Sequence, residues 1–466
     1  MTTSSGTARQ LAEWGTGPLA VPARVREAAV QHLLDGFGTA LAAVRLEAAR
    51  PAVTVARGLG GPPEAAVLGE QGCVGAPAAA LANGTLIHAL DYDDTHAVGL
   101  VHATAVVLPA AFAVGQQTGA TGTQVLEAAV VGYETVCRVA AAAPHGFHAR
   151  GLHATMVAGV LSSAMVTARL LGLSADVTTS ALGIAGSSAG GLLSFLATGA
   201  STKQLHPGLA SQAGILAARL AAAGATGPDT VLDGPHGLYQ ALASGPVDPA
   251  GVVAGLGESW QTELISIKLY PACQLSHVTL GALGAALARE PFGADDVESV
   301  TADVHPDAAS VVCDASRDLI RPLTPYAAKF SLPWSAAALL VDGRFDLETF
   351  SDASIVRPDV TELAARIGWT VVRAPGVAAD APGRVTVRLR DGREVVGEVP
   401  GRPEGGRTRL PREALLAKLT ANVGSPATEL VELVEALDRL TDVHGVLAAA
   451  NRAAIARSIE AGAAPA

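Results

Sequence analysis

Three carboxylates and three imidazoles crowd into LIHALDYDDTHAVGLVH, residues 86–102: Asp91, Asp93 and Asp94 beside His88, His96 and His102. The flanking sequence is apolar, and charged groups are costly to bury unless they are paired or in use. Caps at a helix terminus would account for Asp93, Asp94 or Thr95 singly. They do not account for the group. HARGLHATMVAG brings His148 and His153 to the start of an apolar helix. LLSFLATGASTKQLHPGLASQAG sets Lys203 behind a Gly/Ser/Thr loop, where Gly199 permits close backbone approach and free N–H groups favour an anion. ISIKLYPACQLSHVTLGAL carries Lys268 and His277 around the Pro271–Cys273 turn, and YAAKFSLPWSAAALL carries Lys329 and Trp334.

The lysines are informative because they are few. The chain has 32 Lys plus Arg, and only Lys203, Lys268, Lys329 and Lys418 are lysine. Lysine offers a compact ammonium whose pKa falls on burial, where arginine stays charged and forked. Three of the four lie in the groups above, while Lys418 sits on an amphipathic face and needs no functional explanation. Carboxylate, imidazole and ammonium together suit two chemistries. One is metal-assisted hydrolysis. The other is proton transfer α to a carboxylate, with cations holding a polyanionic substrate. No HExxH and no GxxxxGK[ST] is present, and DYDDT does not match DDxxD. No metal is therefore expected.

Elements must position these residues, and composition says which. Hydrophobic residues make up 49% of 466, charged ones 16% and aromatics 4%, so Ala, Val and Leu fill a large core. Residues from about 20 to 260 read as helical, with Val25, Ala28, Ala29, Leu33, Phe37 and Ala40 at helical spacing. Thr123–Ala142, Ala154–Leu171 and Leu209–Ala223 read likewise. After about 264 the pattern changes. VESVTADVHP alternates like a half-buried strand. WTVVRAP follows a short helix ending near Ile367, and RVTVRLRDGREVVGEV reads as a hairpin turning at Asp391-Gly392. Amphipathic helices then return. The expected fold is mainly α: a discontinuous helical domain, 1–263 with 405–466, and an inserted α/β lid, 264–404.

A formal net charge of −11 argues against nucleic acid as a partner. Two long runs without Asp, Glu, Lys or Arg, Thr95–Leu126 and Val177–Thr202, are broken by Gly, Ser and Thr and read as buried helices, so no membrane partner is expected. The four cysteines form no CxxC pair, and the start lacks a signal-peptide pattern; a reducing, cytoplasmic setting is expected.

NGTLIHALDYDDTH followed by His102, then GLHAT, GASTKQLHPGLASQAG with ATGP downstream, KLYPACQLSH and KFSLPWSAAALLVDG, resemble in order the motifs of the MmgE/PrpD family. That family includes 2-methylcitrate dehydratases, cis-aconitate decarboxylases and iminodisuccinate epimerases. The resemblance implies a helical domain plus lid, a homodimer, and cofactor-free lyase or isomerase chemistry on a small polycarboxylate in the cleft between the domains. Asp91 and Thr95 match the first acidic motif, His102 its trailing histidine and His153 the GLH histidine. Lys203 matches the TK lysine and His277 the histidine closing YPxC…H. Trp334 falls where relatives often carry another aromatic residue. Three departures stand out: Ala103 follows His102 where many relatives have Pro, the AEWGHPSDN-like stretch associated with 2-methylcitrate dehydratases is absent, and one residue is inserted between Thr95 and His102.

On this reading His102 or His153, near pKa ~6.5, is the base. Asp91 orients an imidazole, Lys203 and His277 stabilise the enediolate and bind carboxylates, and Lys268 adds positive field. Thr95, Lys268 and Trp334 complete the substrate-binding set. Loss of a β-hydroxyl, a dehydratase, ranks first. Decarboxylation and epimerisation use the same site, and a carboxylate-binding homologue without catalysis is the alternative of another class.

Overall fold

Apolar residues at helical spacing through the first 260 positions bury themselves by packing helix on helix. The computed structural model describes residues 6–374, 376–401 and 410–460, with side chains to Ala454, and among these holds twenty α-helices. The expected helices appear at Ala23–Arg45, Gly122–Ala141 and Ala154–Leu170. Thr121 and Gln124 close a capping box at the start of Gly122–Ala141, which satisfies backbone donors the helix cannot.

Buried apolar side chains gather in two main clusters. One draws on residues 8–265 and 415–450, the other on Ala97 and residues 272–395. The second cluster surrounds a four-stranded sheet in the order Ile367–Val371, Val297–Val304, Gly383–Leu389, Glu394–Val399. The first pair is parallel and the rest antiparallel. Val385, Val387 and Leu389 point into the core while Arg384, Arg388 and Arg390 stay exposed, as alternation requires. The inner face packs on the helix Gln274–Arg289. The boundary expected at 404/405 lies outside the described residues.

Some expectations are corrected. The third helix begins at Thr202, not Leu209, and carries Pro207 inside it. Pro207 is the sixth residue of the helix and gives up the backbone bond that its N–H would make to the Lys203 carbonyl. The run Val177–Thr202 is not one buried helix. It is the helix Ala175–Gly186, an irregular turn and the short 3-10 segment Leu193–Ala197. The short helix expected near Ile367 ends at Ala364, and Ile367 opens a strand. No helix among the described residues is long and apolar enough to cross a membrane. All four cysteines are free thiols.

Two contacts fix the site. The helices Ala76–His88 and Thr202–Ala222 cross with their backbones touching: a Cβ on Gly84 would lie 2.8 Å from Gly208 Cα, and one on Gly208 2.2 Å from the Leu81 carbonyl oxygen. Only glycine allows that approach, and it brings the end of one helix beside the start of the other. Separately, Thr95–His96 pairs antiparallel with Ile265–Ser266. The turn before Ile265 is held by Glu134, whose carboxylate accepts from Thr262 N at 2.9 Å and Gln261 N at 3.1 Å. Lys268 is thereby delivered to the acidic loop.

Candidate active site

Beyond the Ala76–His88 helix the chain turns through Asp91 at φ +51°. Few residues other than glycine take this left-handed conformation, and backbone strain gathers at functional sites. Asp91 is fully buried. Its Oδ1 accepts from Lys203 Nζ and from Lys268 Nζ, each at 2.9 Å, and Lys268 also donates to the Asp91 carbonyl at 2.8 Å. Burial works to raise this carboxyl, but the two ammoniums outweigh it and hold it well below the carboxylate range. Lys203 also lies 5.0 Å over the Phe330 ring.

Around this ion pair stand imidazoles. His102 Nδ1 lies 3.0 Å from the Asp94 carbonyl and 3.3 Å from Thr95 Oγ1. A carbonyl only accepts, so Nδ1 bears the hydrogen and Nε2, 3.8 Å from Asp91 Oδ1, is the basic nitrogen. His88 Nδ1 bonds Asp93 Oδ2 at 2.8 Å. His153 Nδ1 meets His206 Nδ1 at 3.1 Å. Burial pushes His102 and His153 well below the usual imidazole value, although Asp93 opposes this at His102; Lys203 adds to the effect at both. Asp93 is held at about 2, because His88 and His102 outweigh its burial.

The cleft these groups line leaves about 580 Å³ between protein atoms, part of it open to solvent. Asp91, Thr95, His102, His153 and Lys203 all line it, with Leu193, Phe195 and Phe330 as an apolar wall. Such a cleft can seat a small anion on an ammonium and present bare imidazole nitrogens to it. Lys268 sits behind Asp91, fully buried, and acts on the cleft through that carboxylate. Gly199, at φ +68°, brings its backbone to Thr324 rather than to a ligand.

Two expected residues lie elsewhere. His277 faces a second cavity, lined with Ser266, Tyr270 and Asp380, and its Nε2 meets the Ala272 carbonyl at 3.2 Å. Gln274, one turn earlier, borders both cavities. Trp334 is a core residue: fully buried, with its ring 5.6 Å from Phe350. It follows Pro333 in the first turn of Leu332–Asp342, whose residues Leu332–Leu340 are all buried.

Sequence reasoning passed over His145, His206, Gln274 and Asp35. His206 stands three residues after Lys203 on one helix, a spacing that shares a face and could have found it. Lys418 also needs correcting. It is buried, bonds Asp35 Oδ1 at 2.7 Å and the Tyr92 carbonyl at 2.9 Å, and lies 3.9 Å over the Tyr92 ring. The helix Arg412–Val423 thus braces the acidic loop from behind. Next to that brace, burial lifts Asp94 to about 7 against the bonds it accepts from Thr104, and lifts Asp35 to about 6 against the pull of Lys418.

The sequence matches the MmgE/PrpD N-terminal domain over residues 9–249 and the MmgE/PrpD C-terminal domain over residues 270–439. The chain belongs to the MmgE/PrpD family. Within the family it is similar to a cis-aconitate decarboxylase of Aspergillus terreus, 30% identical over 96% of both chains. A cis-aconitate decarboxylase-like protein of Aspergillus oryzae is 29% identical over 85% of this chain and 86% of the other. Human cis-aconitate decarboxylase is 30% identical over 62% of this chain and 60% of its own. This MmgE/PrpD chain therefore shares nearly its whole length with a curated relative.

Proposed function

We propose that this protein is a cofactor-free lyase that decarboxylates a small unsaturated tricarboxylate of the cis-aconitate kind. The observation that carries the reading is the convergence of the Lys203 ammonium and bare imidazole nitrogens on one cleft. The relatives' activity as cis-aconitate decarboxylases favours C–C over C–O cleavage. Lys203 binds one substrate carboxylate. CO₂ leaves the saturated arm, the released pair forms a new double bond to the central carbon, and the old double bond shifts its pair onto the far α-carbon. Lys203 and the Asp91-anchored Lys268 stabilise the resulting dienolate, and His102 or His153 delivers a proton to that carbon. One C–C bond breaks, one C–H bond forms, and one proton is consumed. The multiple negative charge of the substrate restores proton affinity to imidazoles that burial keeps neutral, so binding takes up a proton. The unit around the four-stranded sheet, which lends Cys273, Gln274 and Phe330 to the cleft wall, acts as a lid.

A dehydratase remains the second reading, and one observation favours it. The histidines rest neutral, which suits a base that abstracts a proton α to a carboxylate. Incubation in D₂O with cis-aconitate, citrate, 2-methylcitrate and iminodisuccinate separates the outcomes by NMR and CO₂ release. CO₂ with one deuterium per product molecule supports the decarboxylase. Water loss without CO₂ supports the dehydratase, and deuterium exchange alone supports an epimerase. Thermal stabilisation by these acids without any conversion would leave a binding protein.

A further inference from the structure

Two imidazoles, His102 on the cleft wall and His88 buried behind it, each set Nδ1 against an oxygen that accepts. His88 Nδ1 donates to the Asp93 carboxylate at 2.8 Å, and His102 Nδ1 to the Asp94 carbonyl at 3.0 Å. In both rings Nε2 is then the nitrogen left over to meet a ligand. His88 is fully buried and its Nε2 has no hydrogen-bond partner. The two rings are 4.5 Å apart, and His153 lies 5.6 Å from one and 5.9 Å from the other. One ligand atom from each of His88, His102 and His153 lies within 4.8 Å of the others. The same holds for His88, Asp91, Asp93 and His102, and Asp91 Oδ2 is buried without a partner. Ring nitrogens and carboxylate oxygens gathered this way are the ligand types that attract a cation.

We propose that His88, His102 and His153 form a binding site for one divalent transition ion of the Zn²⁺ or Co²⁺ class, with the Asp91 carboxylate beside them. Neutral imidazole suits such ions. The Nδ1–H bonds to carboxylate and carbonyl are the outer partners that hold ligating histidines in orientation. Zn–N bonds of about 2.0–2.1 Å in tetrahedral array put neighbouring nitrogens roughly 3.4 Å apart, a small contraction from the present spread. The ammoniums of Lys203 and Lys268 on Asp91 Oδ1 work against a dication, so the ion is held reversibly and is not structural. No local motif announces the site, because the ligands come from positions 88, 102 and 153. Ion and substrate exclude each other, since both need the same nitrogens. That last clause rests on the proposed lyase activity, whereas the binding itself does not.

The test uses the tag-free full chain, stripped with a chelator and titrated with Co²⁺ near neutral pH. A visible ligand-field absorption should saturate at one equivalent and vanish when Zn²⁺ is added. His88→Gln and, separately, His153→Ala should each weaken Co²⁺ binding by at least about tenfold. The double variant His145→Ala/His148→Ala, a stacked pair on the same cleft wall, should keep the absorption. Wild type without a saturable one-equivalent band overturns the site, whatever the variants do. So does a band unchanged in both single variants, or one lost in the double variant. Because no turnover is measured, a protein that binds Co²⁺ but converts nothing would refute the lyase reading and keep the site.

Discussion

Asp91 is the residue on which the cleft depends, because its Oδ1 holds two ammoniums at 2.9 Å in a buried place. Lys203 is the one that lines the cleft. Replacing it with Ala should lower turnover of the accepted polycarboxylate by roughly 10²–10³-fold, the range for a group that stabilises developing negative charge. Steady-state kinetics checks this, with circular dichroism to confirm the fold. Loss within about threefold would refute the role. Lys418 makes a cleaner stability test, since it faces Asp35 and not the cleft. Lys418→Met should cost about 3–5 kcal/mol by stranding a buried carboxylate, and Asp35→Leu in the same chain should restore most of it. Urea unfolding of the double-mutant cycle measures the pair; additive losses would contradict the ion pair. Asp91, Thr95, His102, His153 and Lys203 were legible in the sequence because polar types stood out in apolar surroundings. His277 and Trp334 were placed by motif alone. A motif fixes position along the chain, but the pitch of the helices at Gln274 and Leu332 decides which way each side chain faces.

At the scale of elements, the glycine crossing sets the distance between Asp91 and Lys203. A methyl group at Gly208 would press 2.2 Å from the Leu81 carbonyl oxygen, which as backbone cannot swing aside, and 2.5 Å from Thr85 Oγ1. Gly208→Ala should destabilise by about 1–3 kcal/mol or more, as overpacking does. It should also cut turnover by more than the unfolded fraction explains, because the two helix ends move apart. Chemical denaturation and kinetics on one preparation test both; unchanged stability would contradict the close crossing. Helix existence and the 383–399 hairpin were readable from period and turn chemistry. The start of the Lys203 helix was readable from the Gly/Ser/Thr loop before it, but not its continuity with Leu209–Ala223, because Pro207 between them looks like a boundary and the helix runs through it. Nor could sequence pair Thr95 with Ser266, a contact across 171 positions made by two-residue strands.

For the whole molecule, buried neutral histidines set the response to acid. Burial lowers His32, His96 and His206 to about 4 and His148 and His277 to about 3, with His102 and His153 also depressed. Each binds a proton in the unfolded chain near pH ~6.5 and in the fold only lower, so stability is full above that value and falls with acidification toward about 4. Asp35 and Asp94 act in the opposite sense, since their raised values favour the fold on acidification through the same range. Seven histidines outweigh two carboxylates. The Tm should therefore fall steadily between pH ~7 and ~4.5; calorimetry showing a flat or rising Tm would contradict the burial pattern. Charge and composition pointed to a large apolar core with an acidic surface, but how the two clusters meet around the cleft depends on long-range packing that no local pattern encodes. The most direct test of the central claim is CO₂ release from cis-aconitate by the purified chain in D₂O, beside Lys203→Ala. CO₂ and singly deuterated product are expected from the wild type, and at least a roughly hundredfold slower rate from the variant. A folded wild type that releases neither CO₂ nor water from any of the four acids would contradict that claim.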